Sequence, residues 1–241
     1  MDYKFDFGPV WDGMPSLLMG CLGTLWLALA GMVLATIIGI GGVILRDSRF
    51  PPFRWLIKSF VELIRNTPFL VQCYFIFFAL PLLGEQLGVL MFDFGLTSKA
   101  GNVLLLSPTA TAVIALGVNG GAYAIEIIRG GVQAVSKGQI EAGLALGLHR
   151  AQVFRLIVLK PALRAIYPSL TSQFTLLTLT TSVASAIAAY ELTSVAEDIN
   201  GRTFRTFEIY FTVTLMYLAI STLMALLFNA ISRRYFSYPV K

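Results

Sequence analysis

The sequence predicts an all-α integral membrane protein with five transmembrane helices. Hydrophobic residues make up 56% of the 241 residues and charged residues only 13%, against about 25% charged in a soluble domain. The few charges are also unevenly placed. Five stretches of 19 to 33 residues contain none, and each is long enough for one helix across the hydrocarbon layer. These stretches are 13–45, 66–84, 100–125, 165–190 and 209–232.

The stretches define five spans within a single transmembrane domain that covers residues 1–241. The segment before the first span, residues 2–13, carries aromatic side chains that suit the membrane interface. One long loop, residues 129–164, separates the third span from the fourth. The predicted spans are 16–45, 62–84, 105–128, 167–189 and 208–230.

Lysine and arginine residues predict the orientation of the chain. With five spans, one side of the membrane carries 14 of them and the other side carries four. Cytoplasmic loops are enriched in these residues, so we expect the N-terminus outside and the C-terminus in the cytoplasm. Because membrane topology accounts for the net charge of +5, no nucleic-acid partner is expected.

Residues that could carry catalysis are scarce. The chain has one histidine, His149, and two cysteines, Cys21 and Cys73, which both fall within predicted spans. They cannot form a Cys/His metal cluster, and no glycine-rich loop of the nucleotide-binding kind occurs. We therefore expect neither an enzyme nor a metal centre, and no cofactor bound by this chain.

The loop 129–164 is predicted to contain two short helices. The first follows Ser136, which stands three residues before Gln139 in the spacing of a capping box, and it ends at Gly147. The second runs from about residue 150 to 159 and is limited by Pro161. From periodicity alone, the pair either docks a cytoplasmic partner or only covers helix ends.

The same loop resembles the EAA loop in permease subunits of ABC importers. That pattern is Glu-Ala-Ala, three residues, Gly, nine residues and Ile-x-Leu-Pro, and here it reads Glu141-Ala142-Gly143, Gly147, Ile157 and Leu159. Gly143 replaces an alanine, and Pro161 comes one place late. The resemblance implies a coupling helix that inserts into a groove of an ATPase subunit. The implied ATPase-coupling residues are Gln139, Glu141, Ala142, Gly143, Leu146, Gly147, His149 and Arg150.

Further motifs narrow the resemblance to permeases for polar amino acids. Residues 65–72 resemble the family signature R-x-T-P-x-x-x-Q, and residues 121–131 resemble A-Y-x-x-E-I-x-R-G-G. Residues 137–139 (Lys-Gly-Gln) and 191–193 (Glu-Leu-Thr) also match. Glu126 and Arg129 lie three residues apart and are expected to pair. The residues assigned to structural motifs are Arg65, Thr67, Pro68, Gln72, Glu126 and Arg129.

This resemblance implies a type I ABC importer permease fold in the bacterial inner membrane. The implied function is ATP-driven import of polar amino acids, coupled through residues 141–147. The implied partners are an ABC ATPase dimer that binds ATP and Mg²⁺, a second permease subunit, membrane lipid and a periplasmic amino-acid-binding protein. The alternative function is a secondary transporter, or another multi-span channel subunit, without an ATPase partner.

The fourth predicted span carries eight hydroxyl residues between Thr171 and Ser185. Five of them are spaced 4, 3, 4 and 3 and therefore share one helical face. Such a face packs against a neighbouring helix or lines a polar path, and both interpretations stay open. Candidate substrate-path residues in the third and fourth spans are Asn119, Tyr123, Thr171, Thr175, Thr178, Thr181, Ser182 and Ser185.

Four positions of the fourth span are less polar than the family pattern. Related permeases often have Asn-Glu at residues 172–173 and Lys-Asp at residues 179–180, where this chain has Ser-Gln and Leu-Thr. Ionisable groups inside a membrane are costly and usually functional. Their absence favours a heterodimer over a homodimer, with the second permease subunit contributing more to substrate recognition.

Overall fold

A computed structural model describes residues 3–48, 50–93 and 106–235, and the regular elements within these ranges are all helices. A π-helical turn interrupts the third helix at Phe75–Ala79 and the sixth at Phe154–Val158. The sixth helix ends in a 3-10 turn. The bounds are α1 Gly8–Arg46, α2 Pro51–Arg65, α3 69–93, α4 Pro108–Gln133, α5 Lys137–Ala145, α6 Arg150–Ile187, α7 Leu192–Thr203 and α8 Thr206–Tyr235.

The predicted all-α fold with five spans is confirmed. Four helices, α1, α3, α4 and α8, are each long and apolar enough to cross a membrane. The fifth crossing consists of α6 and α7, which meet at a bend of 47°. The predicted fourth span, 167–189, therefore lies almost wholly in α6, and the bend follows its end.

Two helix starts differ from the predicted span bounds. The second span was expected from residue 62, but α2 ends at Arg65 and α3 begins at Phe69. Pro68, which has no N–H to donate, lies in this break. The first helix begins at Gly8, inside the segment expected at the interface, because a proline at its first turn favours a helix start. Residue 105, Lys99 and Lys241 lie outside the described residues.

Close packing joins α1, α3, α4 and α6. Gly121 of α4 lies against α1, where a Cβ atom would stand 2.5 Å from Ile38 Cγ2. Small residues of this kind allow membrane helices to approach each other closely. Cys73, Leu116 and Leu177 are buried together where α3, α4 and α6 meet. The fourth span is thereby fixed against its neighbours.

The second loop helix and the fourth span form one continuous helix. α6 runs from Arg150 through Pro161 and Pro168 to Ile187. The expected end at Pro161 is therefore wrong. A proline normally breaks a helix because it lacks an N–H, but a π-helical turn, Phe154–Val158, ends three positions before Pro161 and changes the hydrogen-bonding register of this part of the helix. The loop 129–164 and the fourth span therefore share one long helix, α6.

At the opposite end, Glu208 of α8 holds the N-terminal segment. Its side chain is fully buried, it accepts a hydrogen bond from the Tyr3 hydroxyl, and it accepts another from the Asp6 N–H at 2.9 Å. Arg205 lies 3.8 Å from Glu208 and 3.7 Å from Asp6. The bond to the Glu208 carboxylate raises the pKa of Tyr3 above its ordinary value. The segment before α1 is thus fixed to the start of the last span.

We predict that Glu208→Ala lowers the melting temperature of the detergent-solubilised chain by several degrees. The substitution leaves the Tyr3 hydroxyl and the Asp6 N–H without their acceptor, and a donor that loses its partner on folding is costly. The matched control is Asp12→Ala, which removes an exposed carboxylate near the start of α1. Equal melting temperatures for the two variants would contradict the role of Glu208.

Candidate coupling and translocation sites

The candidate coupling element consists of α5 and the turn that follows it. Gly147 adopts a φ angle of 82°, which confirms the predicted left-handed end of the first loop helix. His149 then caps α6, because its Nδ1 accepts from the Gln152 N–H at 3.4 Å and the Gln152 side chain accepts from the His149 N–H at 3.0 Å. A reciprocal capping box closes the turn.

The capping box predicted at Ser136 is wrong. Ser136 does precede α5, but its side chain makes no capping hydrogen bond. The Gln139 N–H instead bonds to the Ser136 backbone carbonyl at 3.1 Å, so the side chain is not needed to satisfy that donor. The side-chain cap of the loop therefore belongs to α6, at His149, and not to α5.

Most of the predicted coupling residues lie on the surface of the chain. The side chain of Leu146 is 82% exposed at the end of α5, beside charged residues. The exposed members of the predicted set are Gln139, Glu141, Ala142, Leu146, Gly147, His149 and Arg150.

Gly143 is the one buried member of the set, and it fixes α5 against α6. A Cβ atom at this position would overlap Ile157 Cδ1 and would lie 3.3 Å from Val153 Cγ2. This contact gives a physical reason for the departure from the Glu-Ala-Ala pattern, because Ile157 occupies the space that an alanine methyl group would fill. α5 therefore sits directly on the first turns of α6.

The hydroxyl face of the fourth span divides into an open part and a buried part. Thr171 and Thr175 line a cavity of about 390 Å³ between α6 and α8. Thr178 is fully buried, and its hydroxyl lies 3.2 Å from Met224 Sδ of α8. The part of the face nearer the loop is thus open, while the next turn packs against a neighbouring helix.

Asn229 of α8 also lines this cavity and was not among the predicted site residues. The available signal was an amide side chain within the charge-free stretch 209–232. The cavity is lined by hydroxyl, amide and apolar groups. Its lining residues are Thr171, Ser172, Thr175, Leu176, Leu179, Ala225, Phe228 and Asn229.

Three predicted path residues lie beyond the cavity, in the 3-10 turn of α6. Thr181 is buried and donates to the Thr178 carbonyl at 2.7 Å. Ser182 donates to its own helix, and Ser185 donates to Glu197 of α7 at 3.0 Å. These hydroxyls bond within the α6–α7 unit, and their contact with a substrate stays a prediction.

The bend between α6 and α7 is stabilised by Glu191, which the sequence marked only as part of a motif. Its fully buried carboxylate accepts from the N–H groups of Thr193 at 2.8 Å and Ser194 at 2.6 Å. The Tyr217 hydroxyl of α8 donates to it at 2.7 Å. These bonds satisfy N–H groups that the start of a helix leaves without partners.

Gln72 has the same role at the break between α2 and α3. Its amide donates to the Ile64 carbonyl at 2.8 Å and to the Thr67 hydroxyl at 2.9 Å. Its carbonyl oxygen accepts from the Asn119 amide of α4 at 3.0 Å. Asn119, a predicted path residue, is thus bonded to this break and does not line the cavity between α6 and α8.

The remaining motif residues gather at the loop ends of α1, α2 and α4. Arg129 lies 3.9 Å from Glu126, which confirms the predicted pair, and Arg46 of α1 forms a second ion pair with Glu126. The Arg65 guanidinium lies 5.2 Å from the centre of the Tyr123 ring. Tyr123 therefore contacts a motif residue and is separate from the cavity between α6 and α8.

Comparison with protein families decides between the functional alternatives. The family described as "Binding-protein-dependent transport system inner membrane component" matches residues 31–237. The chain belongs to this family. The match spans the coupling element, the broken fourth span and the cavity. It confirms the resemblance predicted from the motifs and favours an ABC importer permease over a secondary transporter or an independent channel.

Individual relatives agree with this assignment along nearly the whole chain. The glutamine transport system permease protein of Escherichia coli strain K12 is 34% identical over 96% of this chain and 98% of that protein. The L-cystine transport system permease protein of Bacillus subtilis strain 168 is 34% identical over 94% of this chain and 89% of that protein. Both are named as permease proteins of transport systems.

A solved structure supports the fold. One chain in the crystal structure of an amino acid ABC transporter with histidines matches with a TM-score of 0.81 and 28% identity. The match covers 96% of this chain and 100% of that chain. The ABC importer permease fold expected from the EAA loop is therefore confirmed.

We predict that Gly143→Val opens the coupling element, whereas Gly138→Val on the same helix does not. Overpacking costs about 1–3 kcal/mol, which corresponds to local opening that is about 5 to 150 times more frequent. A valine at Gly138 meets open space apart from the Ser136 hydroxyl at 3.7 Å. Limited trypsin digestion with mass spectrometry measures cleavage after Arg150.

The same digestion provides a rescue test. Adding Ile157→Ala to the Gly143→Val variant removes the overlapping side chain and is expected to slow cleavage again. If the two valine variants are cleaved at the same rate, or if Ile157→Ala brings no recovery, the proposed packing of α5 on α6 is wrong.

Proposed function

We propose that this chain is one permease subunit of an ATP-driven importer for polar amino acids, and that α5 transmits ATPase movement to the translocation path. The continuity of α6 is the observation that carries the proposal. Arg150 at the coupling element and Thr175 at the cavity belong to one helix, and α5 is packed on that helix through Gly143. A displacement of α5 would therefore move one wall of the cavity.

The exposed face of α5 is proposed to dock on an ABC ATPase subunit. Leu146 supplies an apolar group at the centre, and Glu141 and Arg150 supply charges around it. Protein interfaces commonly combine an apolar centre with a polar rim. In this proposal ATP and Mg²⁺ are bound by the ATPase subunits, and this chain contributes only the docking surface.

The cavity between α6 and α8 is proposed to lie on the path of a polar amino acid. Two relatives are named as permeases for glutamine and for L-cystine. Thr171, Ser172, Thr175 and Asn229 offer hydroxyl and amide groups that can exchange hydrogen bonds with a polar solute. In this proposal a periplasmic binding protein delivers the amino acid at the end of the spans away from α5.

The second permease subunit is proposed to differ in sequence from this one. Ser172 and Leu179 line the cavity at two of the positions where related permeases often carry more polar groups. A heterodimer would let the partner subunit supply those groups. A complex of two copies of this chain with full transport activity would contradict this part of the proposal.

The chain is proposed to lie in the bacterial inner membrane with its N-terminus in the periplasm and its C-terminus in the cytoplasm. The coupling element and the cations Arg46, Arg65 and Arg129 lie at the same end of the spans. The enrichment of positive residues on the cytoplasmic side supports this orientation, as does the need of α5 to meet a cytoplasmic ATPase.

We predict that Leu146→Asp and Glu141→Arg each reduce ATPase co-purification and ATP-driven amino acid uptake by about tenfold or more. Removing a central group from an interface commonly costs about 2 kcal/mol. The control is Glu85→Arg, which reverses an exposed charge on α3, away from the coupling element. The measurement uses the chain purified with the proteins encoded beside it and reconstituted in vesicles.

The proposed coupling role fails if both loop variants retain the ATPase and transport at the rate of Glu85→Arg. A loss of uptake with full ATPase retention would place the defect after docking and would contradict the docking surface itself.

A further inference from the structure

A second polar cavity, of about 320 Å³, lies at the loop ends of α1, α2 and α4. It is separate from the cavity between α6 and α8 and takes no part in the proposed transport. Its charged lining comprises three cations, Arg46, Lys58 and Arg65, and two carboxylates, Glu62 and Glu126. Cations therefore exceed carboxylates in the wall of this cavity.

Both carboxylates are already engaged. Glu126 forms ion pairs with Arg46 and with Arg129. Glu62 Oε1 lies 3.8 Å from Lys58 Nζ, and both side chains are largely exposed. The cavity therefore has little negative charge left to attract a cation. Its surplus positive charge favours an anion as the ligand.

Arg65 is the cation in excess. Its Cζ atom lies over the Tyr123 ring, 5.2 Å from the ring centre, and no carboxylate of residues 3–48, 50–93 or 106–235 forms an ion pair with it. Stacking holds a guanidinium in one plane while leaving its N–H groups free to donate. A planar guanidinium binds an oxyanion through two parallel hydrogen bonds.

The cavity lies at the level of the membrane surface, because α2 is an interfacial helix. Phe53, Leu56 and Leu63 are large exposed apolar residues on one face of α2, whereas Lys58 and Arg65 lie on the cavity side. A short helix with an apolar face and basic residues on the other face lies in the plane of the membrane interface. Phosphate groups of lipids are found at this depth.

We propose that this cavity is a phosphate site, in which Arg65 and Lys58 bind either the headgroup phosphate of an anionic phospholipid or a free phosphate ion. Basic pockets between membrane helices are known to hold lipid headgroups. The arginine of the Arg-x-Thr-Pro motif then has a ligand-binding role, while Thr67 and Gln72 of the same motif stabilise the helix break.

Two arms of one experiment distinguish the two sources of phosphate. The full chain, purified with its partner subunits, is placed in phosphatidylcholine nanodiscs with or without phosphatidylglycerol, and native mass spectrometry counts the retained phosphatidylglycerol. In the second arm, equilibrium dialysis in pure phosphatidylcholine nanodiscs measures the binding of labelled inorganic phosphate.

Arg65→Gln is expected to reduce retention or binding by about tenfold, because a hydrogen bond to a charged group contributes about 1.5 kcal/mol. The matched control is Arg54→Gln, which removes a charge from the same helix but does not line the cavity. Glu62→Gln removes a competing carboxylate and is expected to increase retention. If Arg65→Gln does not fold, Lys58→Gln is used in its place.

A selective loss of phosphatidylglycerol in Arg65→Gln identifies the lipid headgroup as the ligand, and a selective loss of labelled phosphate identifies the free ion. The proposal is overturned if Arg65→Gln loses nothing in either arm, or if Arg54→Gln loses as much as Arg65→Gln. Because both arms measure binding alone, a failure here leaves the transport function untouched.

Discussion

Each break between helices in this bundle leaves N–H and C=O groups without helical partners, and a buried side chain must satisfy them. Gln72 does this where α2 gives way to α3, and Glu191 does it where α6 gives way to α7. Each also bonds to a different span, through Asn119 and Tyr217 respectively. The breaks are therefore fixed positions in the helix bundle.

The long helix α6 connects the coupling element to the second of these breaks. It starts at the His149 cap beside α5, passes the cavity at Thr171 and Thr175, and ends just before the Glu191 bend. Leu177 packs α6 into the buried cluster with α3 and α4. The packing and the hydrogen bonds together support the proposal that a push on α5 reaches the cavity.

The sequence was sufficient for the helical class, the number of spans and the position of the first loop helix, α5. The length of a charge-free stretch indicates the length of a span. The Glu141–Gly147 pattern can be recognised because its residues are neighbours in the sequence. The contacts that organise the bundle are not local: Gln72 meets Asn119 across 47 positions, and Arg46 meets Glu126 across 80. Helical periodicity contains no information about such pairs.

One local rule led to a wrong expectation, and another gave an incomplete one. Pro161 was expected to end a helix, but a π-helical turn precedes it and the helix continues. The 4-3-4-3 spacing of hydroxyls correctly placed them on one face, yet it could not tell which turn meets a neighbour. Thr178 is buried against Met224, while Thr175 lines the cavity. This difference depends on where α8 crosses α6.

The rigidity of α6 between coupling element and cavity is tested most directly by making it flexible. The variant Leu163→Gly with Ala165→Gly weakens the helix at two exposed positions, by about 1 kcal/mol each, and Leu163→Ala is the helix-preserving control. Uptake and ATP hydrolysis are measured together in vesicles that contain the full complex. We expect hydrolysis to persist while amino acid uptake per ATP falls about tenfold. Unchanged uptake per ATP would contradict transmission through α6.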